Sequence, residues 1–278
     1  MSYLHTYAPG EQERLRRQAE LIQPLLYEGW EVIGQPEAVL EVGCGSGAQL
    51  NFLQQRYPRA RLVGLDRSPE QIQSARQRTA GIELVLGQAE ATPFEAASFD
   101  LVCLYWVLEH VSQPEPILSE INRVLLPGGW VCLSEVHNPS MYFFPECPHA
   151  MEFWRAYNRR QRELGGNPEI GVQLPYLASQ QGWETVRFRT FAPGLHGHCR
   201  ERGQRQQIVQ FWLDLMASSL EQLKGRPHPD FSLVESELRR LVEDPRAVID
   251  YQARQLLARK PSASQSSGGA GALSPQYF

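Results

Sequence analysis

A doubly wound α/β fold is the architecture this 278-residue chain predicts, and two observations predict it. The first is Val39-Leu40-Glu41-Val42-Gly43-Cys44-Gly45-Ser46-Gly47. An apolar run meets an acid and then a glycine at every second position, and Ala48 to Leu53 starts a helical pattern that Pro58 ends. Strand, tight turn and helix make the opening unit of a nucleotide-type βαβ fold. The second is that short apolar runs go on alternating with helical patterns, beginning with Arg61-Leu62-Val63-Gly64-Leu65-Asp66. An acid at that distance past the glycines is where a ribose hydroxyl pair would be gripped.

Glycines suit the turn because positive φ is open to them and a ligand can approach a backbone without Cβ atoms. The helix start aims free N–H groups at the same place. Gly43-x-Gly45-x-x-Ala48 also satisfies the nicotinamide or flavin fingerprint, so the glycines alone leave both readings open.

The later segments resemble a known family, the class I S-adenosylmethionine-dependent methyltransferases. The resemblance rests on Glu41-x-Gly43-x-Gly45-x-Gly47, Asp66, Gln88-Ala89-Glu90 with Pro93-Phe94, and Ser98 to Val102. It continues through Leu108-Glu109-His110-Val111 and Arg123-Val124-Leu125-Leu126-Pro127-Gly128-Gly129, all in order between Val39 and Glu135. Glu41 and the Pro127-Gly128-Gly129 turn favour it over a dinucleotide domain. It implies a mostly parallel seven-stranded sheet with an antiparallel last strand, and S-adenosyl-L-methionine as cofactor. The cofactor residues it implies are Glu41, Gly43, Cys44, Gly45, Gly47, Asp66, Arg67, Gln88, Ala89, Tyr105 and His110. The family often has an acid where Gln88 stands; the amide oxygen can still accept from an adenine amino group.

In chain order, residues 1–37 read as an N-terminal lid and helix. Leu15, Ala19, Ile22 and Leu26 share one helical face and Pro24 interrupts it; the helix reads as packed against the sheet domain, and the resemblance offers the alternative of a lid closed by Tyr3 or Tyr7. Residues 38–135 form the cofactor-binding core. Ser68-Pro69-Glu70-Gln71 starts a helix, with a capping serine and a capping-box glutamine, that runs to about Thr79. Ile82–Leu86, Phe99–Leu104 and Trp130–Glu135 read as strands three to five, with Tyr105-Trp106 at the carboxyl end where open sheets bind ligands. Residues 136–260 are the acceptor side. His137, Tyr142, Phe143, Phe144, Phe153, Trp154 and Tyr157 follow the fifth strand and read as pocket lining or as ordinary core. A helix over Leu174–Gln181, a sixth strand over Glu184–Phe191 and helices over Ile208–Leu223 and to Leu241 come next. Ala247–Ala258 reads as a helix by composition; the resemblance makes Ala247–Gln252 the seventh strand and the helices before it an insertion. Residues 261–278 are Ser, Gly and Ala, a disordered tail by composition.

A net charge of −4 argues against nucleic acid as substrate. The 5 cysteines lack paired metal spacing, and His196-Gly197-His198-Cys199 has no second ligand pair near it, so no metal is expected. A reducing cytoplasm, no membrane span and a monomer or homodimer are the expectations. A small-molecule acceptor leads over a protein substrate met by the helical insertion, and over a cofactor-binding protein without chemistry. Methyl transfer needs orientation above all. Where the acceptor also loses a proton, His137, His110, Tyr142 and Glu135 are the candidate bases.

Overall fold

A computed structural model describes residues 9–192, 194 and 201–262. Tyr3, Tyr7, His196–Cys199 and the tail beyond Ser262 lie outside the described residues. The strands are β1 (Ala38–Val42), β2 (Arg61–Asp66), β3 (Glu83–Leu86), β4 (Phe99–Tyr105), β5 (Leu125–Glu135), β6 (Tyr142–Phe144), β7 (Glu184–Phe191), β8 (Val248–Asp250) and β9 (Ala253–Arg259). The helices are α1 (Pro9–Leu26), α2 (Ala48–Arg56), α3 (Pro69–Arg78), α4 (Glu115–Val124), α5 (Pro148–Glu163), α6 (Ile170–Gln180), α7 (Arg202–Ala217), α8 (Leu220–Leu223) and α9 (Phe231–Glu243). Seven strands form one sheet in the order β3-β2-β1-β4-β5-β9-β7. β1 to β5 pair in parallel, and β9 runs antiparallel to both β5 and β7.

Alternate residues of each strand enter opposite layers, as the two-residue period of a strand requires. Val39, Leu101, Cys103, Cys132 and Leu257 pack on one face with α1, α2, α5, α7 and α9. Leu40, Val102, Leu104, Leu133, Leu256 and Ala258 pack on the other with α4 and α6. Central strands buried on both faces are largely apolar: in β4 Asp100 is the one charged residue, and in β9 the run Leu256-Leu257-Ala258 is buried without a break.

That requirement corrects the seventh strand. The antiparallel member is Ala253–Arg259, not Ala247–Gln252 and not a helix. Val248–Asp250 buries only Ile249 and pairs instead with Tyr142–Phe144 as a separate two-stranded ribbon. Residues 253–258 are buried almost without a break and can lie between two other strands. The fifth strand starts at Leu125 rather than Trp130, with its register shifting across the Pro127-Gly128-Gly129 turn. α6 begins at Ile170, one turn earlier than read, and the helix expected over Ile208–Leu223 divides at Ser218-Ser219 into α7 and α8. Ser68 caps α3 by accepting from Gln71 N at 3.2 Å. The reciprocal bond from the Gln71 side chain is absent because Ser68 N donates to Asp66 Oδ1 at 2.9 Å.

Candidate functional site

The turn after β1 is built by backbone amides. Gly43 N and Cys44 N both donate to Leu65 O, at 2.7 and 3.0 Å. Gly43 has φ 73°, and a Cβ there would stand 2.5 Å from Val107 Cγ2, so only glycine fits. Gly45, at φ 52°, donates its N–H to Asp66 Oδ2 at 2.9 Å, and a Cβ on it would meet only open space. Asp66 therefore ties the glycine turn to the start of α3, since its other oxygen holds Ser68 N. Burial raises its pKa, and the Ser68 and Gly45 amides work against that rise. A carboxylate has about four lone-pair sites, so two amide donors leave Asp66 able to accept from a ligand.

This turn opens into a cavity of about 240 Å³. Glu41, Gly43, Cys44, Gly45, Asp66, Arg67, Gln88, Ala89, Tyr105 and His110 all line it. Gly47 does not; it stands at the N-cap of α2 with φ 81°. Glu41 is buried, and its pKa is raised well above the ordinary carboxylate range by burial and then by Asp66. Glu41 Oε2 and Gln71 Oε1 are buried, belong to lining residues and have no hydrogen-bond partner in the protein. Burial, with Glu41 and Asp66 beside it, raises the Cys44 thiol far enough to keep it protonated at neutral pH.

The far wall carries aromatic rings from three separate segments. Trp154 (α5), Trp212 (α7) and Tyr251 (between β8 and β9) form an edge-to-face triangle with centroid separations of 5.9, 4.8 and 6.2 Å. Tyr157 stacks on Trp154 at 4.8 Å. One turn apart on α5, Trp154 and Tyr157 present neighbouring rings to the cavity. Arg14, Leu15, Gln18, Ala19 and Ile22 of α1 close the near side.

The four candidate bases separate. His110 lines the cavity, and burial, with Arg67 and Arg14 nearby, lowers its pKa to about 3, so the imidazole is neutral at physiological pH. His137 is not in the wall: Val136 and Asn138 are, and the histidine between them meets Arg254 Nη2 at 3.4 Å on the other side. Tyr142 is 54 % exposed on β6 and also outside the wall. Glu135 is fully buried and holds a turn. Its Oε1 accepts from Val107 N (3.0 Å) and Leu108 N (2.7 Å), and its Oε2 from Glu109 N (3.3 Å). Just before that turn Trp106 takes φ 55°, a left-handed conformation that costs a side chain about 1 kcal/mol. Accepting from three successive amides offsets that strain, so Glu135 shapes the β4 turn rather than facing a ligand.

Glu109, beside His110, was quoted in the sequence only as part of a motif. It lines the cavity at 5 % exposure, and its Oε2 accepts from Gln161 Nε2 at 2.6 Å. Burial lifts its pKa to about 8 against the opposing Gln161 hydrogen bond and Arg14 charge. Behind it, Asn138 Nδ2 donates to Gln161 Oε1 at 3.0 Å, and Tyr251 Oη donates to Asn138 Oδ1 at 2.9 Å. Among the described residues no cluster of His, Cys, Asp and Glu could hold a metal ion, and no helix is long and apolar enough to cross a membrane.

Comparison with known proteins bears on this site. Residues 40–133 match the family model of a methyltransferase domain. An uncharacterised methyltransferase of Synechocystis is 32 % identical over 165 residues, 58 % of this chain and 74 % of that protein. An uncharacterised protein from a transposon of Streptomyces fradiae is 35 % identical over 53 % of this chain, but the match spans only 43 % of that protein. Among solved structures, the phosphoethanolamine N-methyltransferase 2 of Haemonchus contortus, solved with phosphomonomethylethanolamine and S-adenosylhomocysteine, superposes with a TM-score of 0.55. It is 15 % identical, covering 88 % of this chain and 56 % of that one, a likeness of fold.

Proposed function

The chain belongs to the class I S-adenosylmethionine-dependent methyltransferases, and on that premise we propose that it methylates a small molecule held in the aromatic half of its cavity. The observation that carries the reading is the continuity of that cavity: one space runs from the glycine turn and Asp66 to the Trp154, Trp212 and Tyr251 rings.

The residues present fit S-adenosylmethionine. Asp66 has lone pairs left for ribose hydroxyls, and Gly45 offers a backbone with no side chain in the way. Glu41 Oε2 and Gln71 Oε1 are buried acceptors that a ligand donor would satisfy; an unsatisfied buried acceptor costs roughly 1–3 kcal/mol. Gln88 and Ala89 line the same cavity as the apolar Val111 and Ile117, a lining that suits an adenine ring. Bound there, the cofactor supplies a methyl group on a sulfonium that leaves without needing a proton. The chain's part is to orient: Asp66 and the glycine turn fix one partner, and the aromatic wall fixes the other in line with it.

A small acceptor is favoured over a protein substrate by the helices between β7 and β8. They turn Val209, Trp212, Leu213, Met216, Val234, Leu238 and Leu241 into the core. Of their large apolar side chains among the described residues, only Leu233 is exposed, at 44 %. The insertion lines the cavity and, among the described residues, offers no apolar docking face. Titration calorimetry with S-adenosylmethionine, S-adenosylhomocysteine and NADH tests the cofactor. Incubation of a metabolite extract with methyl-labelled cofactor, followed by mass spectrometry, tests the acceptor. Binding of the two adenosyl compounds and a labelled small product are expected. NADH binding in their place, or label found only on protein, would overturn the reading.

A further inference from the structure

We propose that the acceptor is an amine that enters protonated, its cationic head set against the Trp154–Trp212–Tyr251 triangle and its proton passed to the Glu109 carboxylate. This rests on the methyltransferase reading above and names the chemistry of its acceptor.

The first support is how two of the three rings hide their polar atoms; the third, Trp212, keeps a buried Nε1–H with no partner in the protein. Trp154 Nε1 donates to Asn138 O at 2.8 Å, and Tyr251 Oη donates to Asn138 Oδ1 at 2.9 Å. Both groups are thus engaged with the same residue, and what those two side chains have left for a ligand is ring surface. Ring faces carry the negative side of the aromatic quadrupole and attract a desolvated cation.

The second support is a directed chain of hydrogen bonds ending on Glu109. Tyr251 Oη donates to Asn138, Asn138 Nδ2 to Gln161, and Gln161 Nε2 to Glu109 Oε2. Every donor points toward the carboxylate, an order that stabilises negative charge at its end and fixes the carboxyl plane. The groups facing Glu109 come from several elements: Arg14 from α1, His110 beside it, Glu135 from β5 and Tyr251 from the wall. His110 Nε2 lies 3.7 Å from Glu109 Oε1. That ring is neutral at physiological pH, so among these neighbours the cationic charge facing the carboxylate is that of Arg14. Burial holds the Glu109 pKa near 8, so the empty site is mostly the acid at neutral pH, and a bound ammonium draws it toward the carboxylate that takes the proton.

The step balances. The ammonium nitrogen gives one proton to a Glu109 oxygen and regains its lone pair. That pair forms the new nitrogen–carbon bond to the methyl group, while the electrons of the methyl–sulfur bond stay on sulfur. The product leaves as the methylated ammonium, and Glu109 returns its proton to water afterwards.

Three probes of one shape and different charge test the site in the wild-type protein saturated with S-adenosylhomocysteine. They are choline, the neutral 3,3-dimethylbutan-1-ol and the anionic 3,3-dimethylbutanoate. Choline should bind about tenfold or more tighter than the alcohol, and the anion weakest. Glu109→Gln should remove most of the preference for choline and leave the ratio of S-adenosylmethionine to S-adenosylhomocysteine affinity unchanged. In the extract experiment the label should sit on nitrogen. Equal binding of alcohol and choline, tighter binding of the anion at Arg14, or label on oxygen, sulfur or carbon would each overturn the proposal. So would a changed affinity ratio, because the cation recognised would then be the cofactor's own sulfonium. The wild-type charge series needs no variant to fold. Failure to bind either adenosyl compound would instead sink the methyltransferase reading itself.

Discussion

Replacing Glu109 by glutamine should stabilise the protein by an amount that grows as pH rises above about 4.5. In the folded chain burial moves this carboxyl from the ordinary 4.5 to about 8. The unfolded chain gives its proton up near 4.5, so between the two values the unfolded state binds fewer protons and stability falls as pH rises. Below pH 4.5 the penalty is absent, and above about 8 it is complete. At ~1.36 kcal/mol per pH unit the full penalty is on the order of 5 kcal/mol. Glutamine cannot ionise, and its amide oxygen can still accept from Gln161 Nε2. The variant's urea midpoint should therefore change less between pH 5 and 8.5 than the wild type's, and the two curves should converge at the acidic end. Glu135 is pushed up by burial and then by the Glu109 charge, so part of the difference between the two curves comes from relief of Glu135. Parallel curves offset by a constant would refute the reasoning, because they would show that Glu109 ionises as easily folded as unfolded.

Asp66→Ala should weaken S-adenosylmethionine binding by about 1.5–3 kcal/mol, read by calorimetry; an unchanged dissociation constant would take Asp66 out of the cofactor site. His110, held neutral down to about pH 3, should contribute no inflection near neutrality, so the rate–pH profile of His110→Gln should parallel the wild type above pH 5. A limb lost only in the variant would show that the imidazole titrates in the working range. Tyr142→Ala and His137→Gln lie outside the cavity wall and should keep wild-type turnover once an acceptor is known; a roughly 10²-fold loss in either would restore it as a base. Glu135→Ala leaves three amides without their acceptor and should lower stability by several kcal/mol, on the scale of about 1–3 kcal/mol for each buried donor left unsatisfied; a melting temperature equal to wild type would contradict that.

The parts of this protein that can be read along the sequence are those whose partners are near in sequence. Gly43, Gly45 and Asp66 act within one βαβ unit, so their spacing alone suggests a shared site, and the structure brings them together. β7 was legible as Glu184–Phe191 because its side chains alternate. The contest between Val248–Asp250 and Ala253–Arg259 was not, since both are short apolar runs; which one enters the sheet depends on burial on two faces. Glu135 looked like a site acid because it ends a central strand. Its oxygens are taken by amides 26 to 28 positions earlier, a pairing that no local pattern announces. Asn138 and Gln161 escaped notice for the same reason: a lone polar residue in an aromatic stretch carries no signal until Tyr251 and Glu109 fold against it. Trp154 and Tyr157 did signal themselves as part of an aromatic stretch, yet only the fold, which sets Trp212 beside them, distinguishes a wall from an ordinary core.

The place of β9 sets a timetable for synthesis. β5 is complete at Glu135, but its outer neighbour begins at Ala253, and β7 joins the sheet only through that neighbour. At about 5–20 residues per second, a ribosome needs on the order of 10 s to make the intervening stretch. Through that interval the nascent chain can already assemble β1 to β5 and the glycine turn, while β5 shows a bare hydrogen-bonding edge and β7 has nothing to pair with. Open edges of this kind recruit other chains. A ribosome that stalls before Ala253 would thus release a chain prone to aggregate, and a chaperone meeting this protein would find its target at the edge of β5.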